Sequence, residues 1–440
     1  MKNISAIRKA FDDAVRTVCT KPSVYAKAPE KDFSRTRKLP LETLVRFMLS
    51  SHTESVPKEL LKFFRYDVDT PSASAFVQQR SKLRKEIFTD LLYRLNQSFS
   101  PQSLYKGYRL LAADGSDVHY PTNPNEPDNY FPVTNSKGYN LLHLNALYDI
   151  ESGIYIDAVF QMKRSEHETA AVEEMVDRSD ISKAIVVMDR GYESYNVIAH
   201  IIEKGWAFVL RVKTDTKGGI VTPLGLPNGS LDRSVTISLT RKQNKETKEL
   251  LKDKEHYRLL INISRFDYLP AKTEYKAPAM FYDISFRIVR FPISENTYET
   301  ILTNLPESMF PIEEIKKLYA MRWGIETSFR DLKYTTGMIA FHTKRAEYII
   351  QEILAHMVVY NFCAMIMSTI SIKRSSRKGY TYKANFSTAM HLCRLYMSGD
   401  ISPPKLKELI EKNVLPVRDN RNELRKTASK PAISFGYRLP

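Results

Sequence analysis

The chain has 440 residues, 43% hydrophobic and 11% aromatic, a globular composition with room for two or three domains that argues against a disordered protein. Its 66 Lys and Arg outnumber 50 Asp and Glu, and the net charge of +16 favours a polyanionic partner, either nucleic acid or an anionic membrane surface. Cys19, Cys363 and Cys393 lie far apart, which argues against a cysteine zinc site or a disulfide framework and for reduced thiols in a cytoplasmic protein.

Residues 1–100 read as helical and follow a charged start, Met1 to Asp12, that lacks the apolar run of a signal peptide. Pro40 opens a helix whose apolar stripe is Leu41, Leu44, Val45, Phe47 and Met48. Between Pro71 and Leu83 a turn leads into Ala75, Phe76 and Val77, followed by the cations Arg80, Lys82 and Arg84. That stretch fits a helix-turn-helix DNA-binding module and equally a solvated surface helix.

Strands begin near residue 105. The apolar run Tyr108 to Ala113 ends at Asp114-Gly115-Ser116, and a Pro- and Asn-rich loop covers 121–138. Leu141 to Tyr148 and Ile154 to Phe160 read as two further strands joined by a turn, and His167 to Val176 as a helix. The buried-strand run Ala184 to Met188 ends at Asp189-Arg190-Gly191-Tyr192. Residues from about 205 to 305 read as a β-rich insertion, and helices resume at Ile312. Ile353 to Ile370 is about long enough to span a bilayer, but His356 and Asn361 interrupt it and a buried core helix is the better reading. No membrane partner is expected. The segment 371–440 holds 15 basic and 5 acidic residues and reads as a phosphate-contacting arm.

Ile315 to Lys333 carries the sharpest pattern. At about 100° per residue, Tyr319, Arg322, Trp323, Glu326, Arg330 and Lys333 share one arc of about 100°, beside an apolar stripe of Leu318, Met321, Ile325, Phe329 and Leu332. Such a face is a solvated one with i,i+4 ion pairs, or a carboxylate set among cations and rings for a DNA strand. Asp114 and Asp189, each at a strand end, bring the carboxylates to three. Hard oxygen donors suit Mg²⁺, with Mn²⁺ as a substitute, and two such ions serve phosphoryl transfer. Asp117, three residues beyond Asp114, competes for the first position. His119, His143 and His342 read as core or surface histidines, and His167-Glu168 lacks the second His of a zinc-protease helix.

Tyr319, Arg322, Glu326 and Lys333 stand as Y-x2-R-x3-E-x6-K. This resembles the Y-R-E-K signature of DDE-type bacterial transposases of the insertion sequence four family. Ala113-Asp114-Gly115-Ser116 and Asp189-Arg190-Gly191-Tyr192 resemble the segments bearing that family's two aspartates. The resemblance covers about 105 to 370. It implies an α/β fold: a ribonuclease-H-like catalytic core over 101–370, interrupted by the β-rich insertion and flanked by helical N-terminal (1–100) and basic C-terminal (371–440) regions. It further implies that Asp114, Asp189 and Glu326 are catalytic and hold two divalent metal ions. Tyr319, Arg322 and Lys333 would contact transposon-end DNA; helix geometry adds Arg330 and Trp323, and Arg190 stands beside the second aspartate.

The activity implied is cut-and-paste transposition: cleavage at the inverted-repeat ends, then attack of the freed 3′-hydroxyl on target DNA, with or without a hairpin intermediate. Hairpin-forming relatives stack a flipped base on an aromatic in the insertion; Trp206 stands at its start and Tyr298 near its end. A homodimer across paired ends, with the apolar helix after Tyr348 as one contact, and a cytoplasmic, nucleoid-associated location are implied as well. The alternatives are an inactive DNA-binding relic and a nuclease that cuts without joining.

Overall fold

Helix-forming stretches fill the first hundred residues of the computed structural model, which describes residues 3–35, 38–101, 103–135, 137–214, 218–261, 264–269, 281–295, 297–338, 340–372 and 381–417. They are α1 (Ile4–Cys19), α2 (Pro22–Tyr25), α3 (Leu41–Ser50), α4 (Val56–Phe63), α5 (Ala73–Arg80) and α6 (Glu86–Gln97). Asn3 caps α1 by accepting from the Ala6 N–H at 2.7 Å, and Ile7, Phe11, Val15 and Val18 recur at helical spacing on its buried face.

The chain then builds one large sheet. Its first half comprises β1 (Arg109–Tyr120), β2 (Tyr130–Phe131), β3 (Tyr139–Asp149), β4 (Ile154–Met162), α7 (Glu168–Asp177), β5 (Ala184–Met188), α8 (Tyr195–Glu203) and β6 (Ala207–Arg211). β3 runs antiparallel to both β1 and β4, while β5 runs parallel to β1 and β6 parallel to β5. The strands therefore lie in the order β4-β3-β1-β5-β6.

The second half is β7 (Leu231–Thr240), α9 (Lys245–Leu250), β8 (Tyr257–Leu259), β9 (Tyr282–Ser294) and β10 (Thr297–Thr303). β10 pairs antiparallel with β6, so these strands prolong the same sheet. The expected insertion boundary near 205 is thus too early: Ala207–Arg211 is an inner strand, fully part of the sheet that carries β1 and β5.

The helical end comprises α10 (Ile312–Met321), α11 (Trp323–Arg330), a π-helical turn at Asp331–Thr335, α12 (Ala346–Ser368), β11 (Thr381–Ala384), α13 (Phe386–Met397), α14 (Pro403–Lys412) and β12 (Val414–Val417). α12 is long and apolar enough to cross a membrane, yet its apolar window is buried inside the protein. It is the hub of the main core, packed among α1, α3, α6 and α13 and under β4. With every residue from Ile349 to Ile366 buried, α12 has no free face for a dimer contact. Its interrupting Asn361 has a clear purpose. Asn361 Oδ1 accepts from the Tyr155 N–H at 2.8 Å and Nδ2 donates to the Tyr155 carbonyl at 2.7 Å, satisfying the outer backbone of strand β4 as a further strand would.

The cations of the supposed helix-turn-helix are not all at the surface. Arg80 is 3% exposed and donates to Glu352 at 2.7 Å and Gln351 at 3.1 Å, both on α12. It is an internal strut and presents no guanidinium to DNA. The basic arm expected at 371–440 falls in good part outside the described residues.

His200 on α8 ties the later strands to the earlier half. Its two ring nitrogens lie 2.8 Å from Asp177 and 3.0 Å from Asp267. Two carboxylates on one imidazole require both N–H groups, so the ring is a cation. Burial pulls its pKa down, but the bonds to Asp177 and Asp267 outweigh that and raise it. A raised histidine stabilises fully below its unfolded value near ~6.5, and the contribution is lost as pH rises through the folded value. The loss in melting temperature caused by His200→Gln is therefore expected to be greater at pH 6 than at pH 9.5. Equal losses at the two pH values in thermal melts would contradict the assignment.

Candidate active site

Strand register brings the two aspartates together. Ala112 of β1 is level with Val187 of β5, so Asp114 and Asp189, two residues further along each strand, emerge side by side. Met188 is in turn level with Leu210, which sets Arg211 beside Asp189. Asp189 and Arg211 stand at the carboxyl ends of β5 and β6, and Asp114 lies where the parallel pairing of β1 stops, although β1 itself runs on to Tyr120; open α/β sheets bind ligands at such carboxyl ends. Side chains alternate along β1. Leu110 and Ala112 face α10 and α11, whereas Leu111 and Ala113 face α7. Asp114 thus looks toward the helix of Glu326.

Arg322 joins the two. Its guanidinium donates to Glu326 Oε1 at 2.7 Å and to Asp114 Oδ2 at 3.3 Å, and it is 7% exposed. Asp189 Oδ1 accepts from the Gly191 N–H at 2.7 Å, capping the short 3-10 turn Arg190–Tyr192. Burial raises the Asp114 pKa to about 6; Arg322 and the Gly115 N–H oppose the rise, while repulsion from Asp189 and Glu326 adds to it. Asp114 therefore shares one electrostatic neighbourhood with Asp189, Glu326 and Arg322. The oxygens of the three acids do not close round a single point, since among the described residues the sets that do are Asp117, His143 and Glu166, and Glu173, His200 and Asp267.

Asp117 is occupied elsewhere. It points to the opposite side of β1, where it accepts from His143 Nδ1 at 2.8 Å and pairs with Lys163 at 2.9 Å. Burial raises its pKa, but those two cations overcome it and hold the carboxyl at about 2. His143 is a buried cation in this cluster, 4% exposed.

A cavity of about 360 Å³ opens beside Asp189 and Glu326. Tyr319, Arg322, Trp323 and Arg190 line it, as expected for strand contacts, and Arg211 and Lys316 supply further cations. Trp323 is half exposed at its wall. Arg211 could have been anticipated, because it ends a buried run just as Asp189 does.

Three expected contacts stand apart from this cavity. Arg330 has a largely solvent-exposed side chain, 3.8 Å from Asp331. Lys333 is half-buried and donates to Ser116 Oγ at 2.6 Å and the Asp117 carbonyl at 2.7 Å. Burial lowers its pKa, with Asp117 partly offsetting the effect. Tyr298 lies under the Arg290 guanidinium, 4.9 Å from the ring centroid.

For Lys333 the reason is local winding, whereas Arg330 stays one regular turn from Glu326 within α11 and Tyr298 lies on β10. Around Arg322 the bonds tighten to i→i−3, with Arg322 N to Tyr319 O and Ile325 N to Arg322 O both at 3.1 Å, and the π turn then widens the coil at Asp331–Thr335. A uniform 100° per residue does not hold from 315 to 333. Trp206 is 2% exposed, its indole N–H bonded to the Ile181 carbonyl at 2.9 Å, so it cannot stack on a base.

Residues 105–362, a span containing all three acids, match the transposase DDE domain family. The chain is 25% identical over 351 residues to InsG, the transposase of insertion sequence element IS4 of Escherichia coli (strain K12), covering 74% of this chain and 70% of that protein. In overall shape it is similar to piggyBac transposase in a synaptic complex with hairpin DNA, with a TM-score of 0.47, 11% identity, and coverage of 93% and 85% of the two chains. With acids at adjacent strand ends, an arginine joining two of them, and a family match across more than half its length, the chain belongs to the DDE transposases, enzymes that cleave and join DNA strands.

Proposed function

We propose that this transposase holds two divalent metal ions on Asp114, Asp189 and Glu326 and acts at the inverted-repeat ends of its own element, as a homodimer across paired ends. The observation that carries the reading is the Asp114–Arg322–Glu326 contact on β1 beside the end of β5, which bears Asp189. The donors are all carboxylate oxygens, which suits Mg²⁺ with Mn²⁺ as a substitute. The Asp114 carboxylate is 19% exposed and gathered with two further acids, a donor set that fits such ions. When bound, the ions polarise phosphoryl oxygens and lower the pKa of an attacking water or hydroxyl.

The protein's own groups do the rest. Arg322 keeps Asp114 and Glu326 in register. Arg190, Arg211 and Lys316 offer cations to phosphates at the cavity, and Tyr319 adds a hydroxyl. Trp323, half exposed there, is the ring on which a displaced base stacks. Lys333 props Ser116 and so steadies the strand that carries Asp114. The order β4-β3-β1-β5-β6, three antiparallel strands followed by two parallel ones, supports a ribonuclease-H-like core. The basic C-terminal segment supplies further DNA or dimer contacts.

Labelled DNA bearing the element's ends, incubated with unlabelled target and Mg²⁺, is expected to yield both cut ends and joined target. Cut ends alone would indicate a nuclease, and binding without nicking even in Mn²⁺ an inactive relic. Arg190→Ala is expected to make the salt dependence of end binding shallower by about one phosphate contact. Lys333→Ala should lower cleavage while leaving that slope unchanged, because its ammonium is spent on β1.

A further inference from the structure

Glu168 approaches the same strand ends from the other face of the sheet. It opens α7, which packs on the Leu111 and Ala113 side of β1, opposite the helix of Glu326. A Cβ placed on Gly115 would meet Glu168 Oε1 at 2.7 Å and His143 Nε2 at 2.6 Å. A Cβ on Gly191 would meet Glu168 Oε2 at 3.4 Å and Asp189 Oδ1 at 3.0 Å. One carboxylate thus fills the space beside two glycines, one next to Asp114 and one two residues after Asp189. Gly115 sits mid-strand with an ordinary backbone, where glycine weakens pairing and marks a close approach. Any side chain there would expel the carboxylate. His143 is the second feature: it is 4% exposed and its Nε2 is 3.1 Å from Glu168 Oε1, while Nδ1 is bound to Asp117. The ring sits against Oε1 as an ion-pair partner, and Oε2 lies on the Gly191 side.

We infer that Glu168 is a fourth carboxylate of the metal site, positioned by His143 and admitted by Gly115 and Gly191. The inference rests on the proposed Asp114–Asp189–Glu326 site and extends it. With Glu326 on one face and Glu168 on the other, the sheet edge has oxygen donors above and below it. A simple ion-pair partner of His143 would not need two glycines cleared around it.

The test is Mn²⁺ titration of the full chain followed by electron paramagnetic resonance of the free ion, with end cleavage in Mg²⁺ measured alongside. Glu168→Gln, which keeps shape and packing, is expected to weaken Mn²⁺ binding on the order of 10-fold or more, and Glu168→Asp less. His143→Gln should produce a smaller loss than Glu168→Gln. Gly115→Ala should weaken Mn²⁺ binding with Glu168 still present, because it displaces the carboxylate. Unchanged Mn²⁺ affinity in Glu168→Gln, with affinity lost in Asp189→Asn, would overturn the role of Glu168 and leave the three-acid site standing. Unchanged affinity in both variants would overturn the three-acid site itself. Circular dichroism of each variant checks that it is folded.

Discussion

Alanine at Asp114, Asp189 or Glu326 is expected to cut end cleavage by at least about 10³-fold, more than ~4 kcal/mol of transition-state stabilisation. Each removes a carboxylate from a site in which Arg322 bridges two of the acids. End binding should survive, because the phosphate contacts come from Arg190, Arg211 and Lys316. Stability separates this loss from simple unfolding. Asp114 is raised to about 6, so in the absence of a divalent ion its ionised form works against the fold. The sign follows from linkage: the folded state holds the proton more tightly, and stability falls as pH rises from about 4 to about 6. Asp114→Asn should therefore melt no lower than the wild type at pH 7.5 without metal, and be inactive. Wild-type cleavage rates in all three alanine variants would show that the chemistry lies elsewhere.

Asp114 and Asp189 were legible because each ends a buried apolar run, and Glu326 because its helix carries Y-R-E-K. The choice between Asp114 and Asp117 was not, although strand alternation decides it: residues three apart face opposite sides, and only one side holds α11. The reach of Lys333 to Ser116 on β1 was not legible, because a helical wheel assumes constant winding and the π turn at Asp331–Thr335 breaks it. Glu168 was passed over because the motif sought around it was a zinc helix. Its place depends on Gly115 and Gly191, residues 53 and 23 positions away along the chain, which only strand pairing brings together. The insertion boundary failed for a similar reason. The five-residue run of Ala207–Arg211 carries no local mark of the strand it pairs with.

Arg80 is the other residue whose setting the chain order conceals, since its partners on α12 lie 271 and 272 positions away. Arg80→Met is expected to destabilise the protein by about 3–5 kcal/mol, because it takes the guanidinium from a buried carboxylate that keeps its contacts with His342. The two side chains are 4% and 7% exposed, so solvent screens the pair little. The double variant Arg80→Met/Glu352→Leu should recover much of that loss, since two apolar side chains avoid the cost of burying charge. Chemical denaturation followed by circular dichroism of the wild type, Arg80→Met, Glu352→Leu and the double variant completes a cycle that isolates the pair from its neighbours. Gln351 and the Tyr348 carbonyl also receive Arg80, so the double variant should fall short of full recovery. A DNA-reading Arg80 predicts the reverse pattern: unchanged stability, weaker end binding and no rescue by Glu352→Leu. A loss below about 1 kcal/mol in Arg80→Met would place the guanidinium at a solvated surface and return the segment 71–83 to the reading of a DNA-contacting helix.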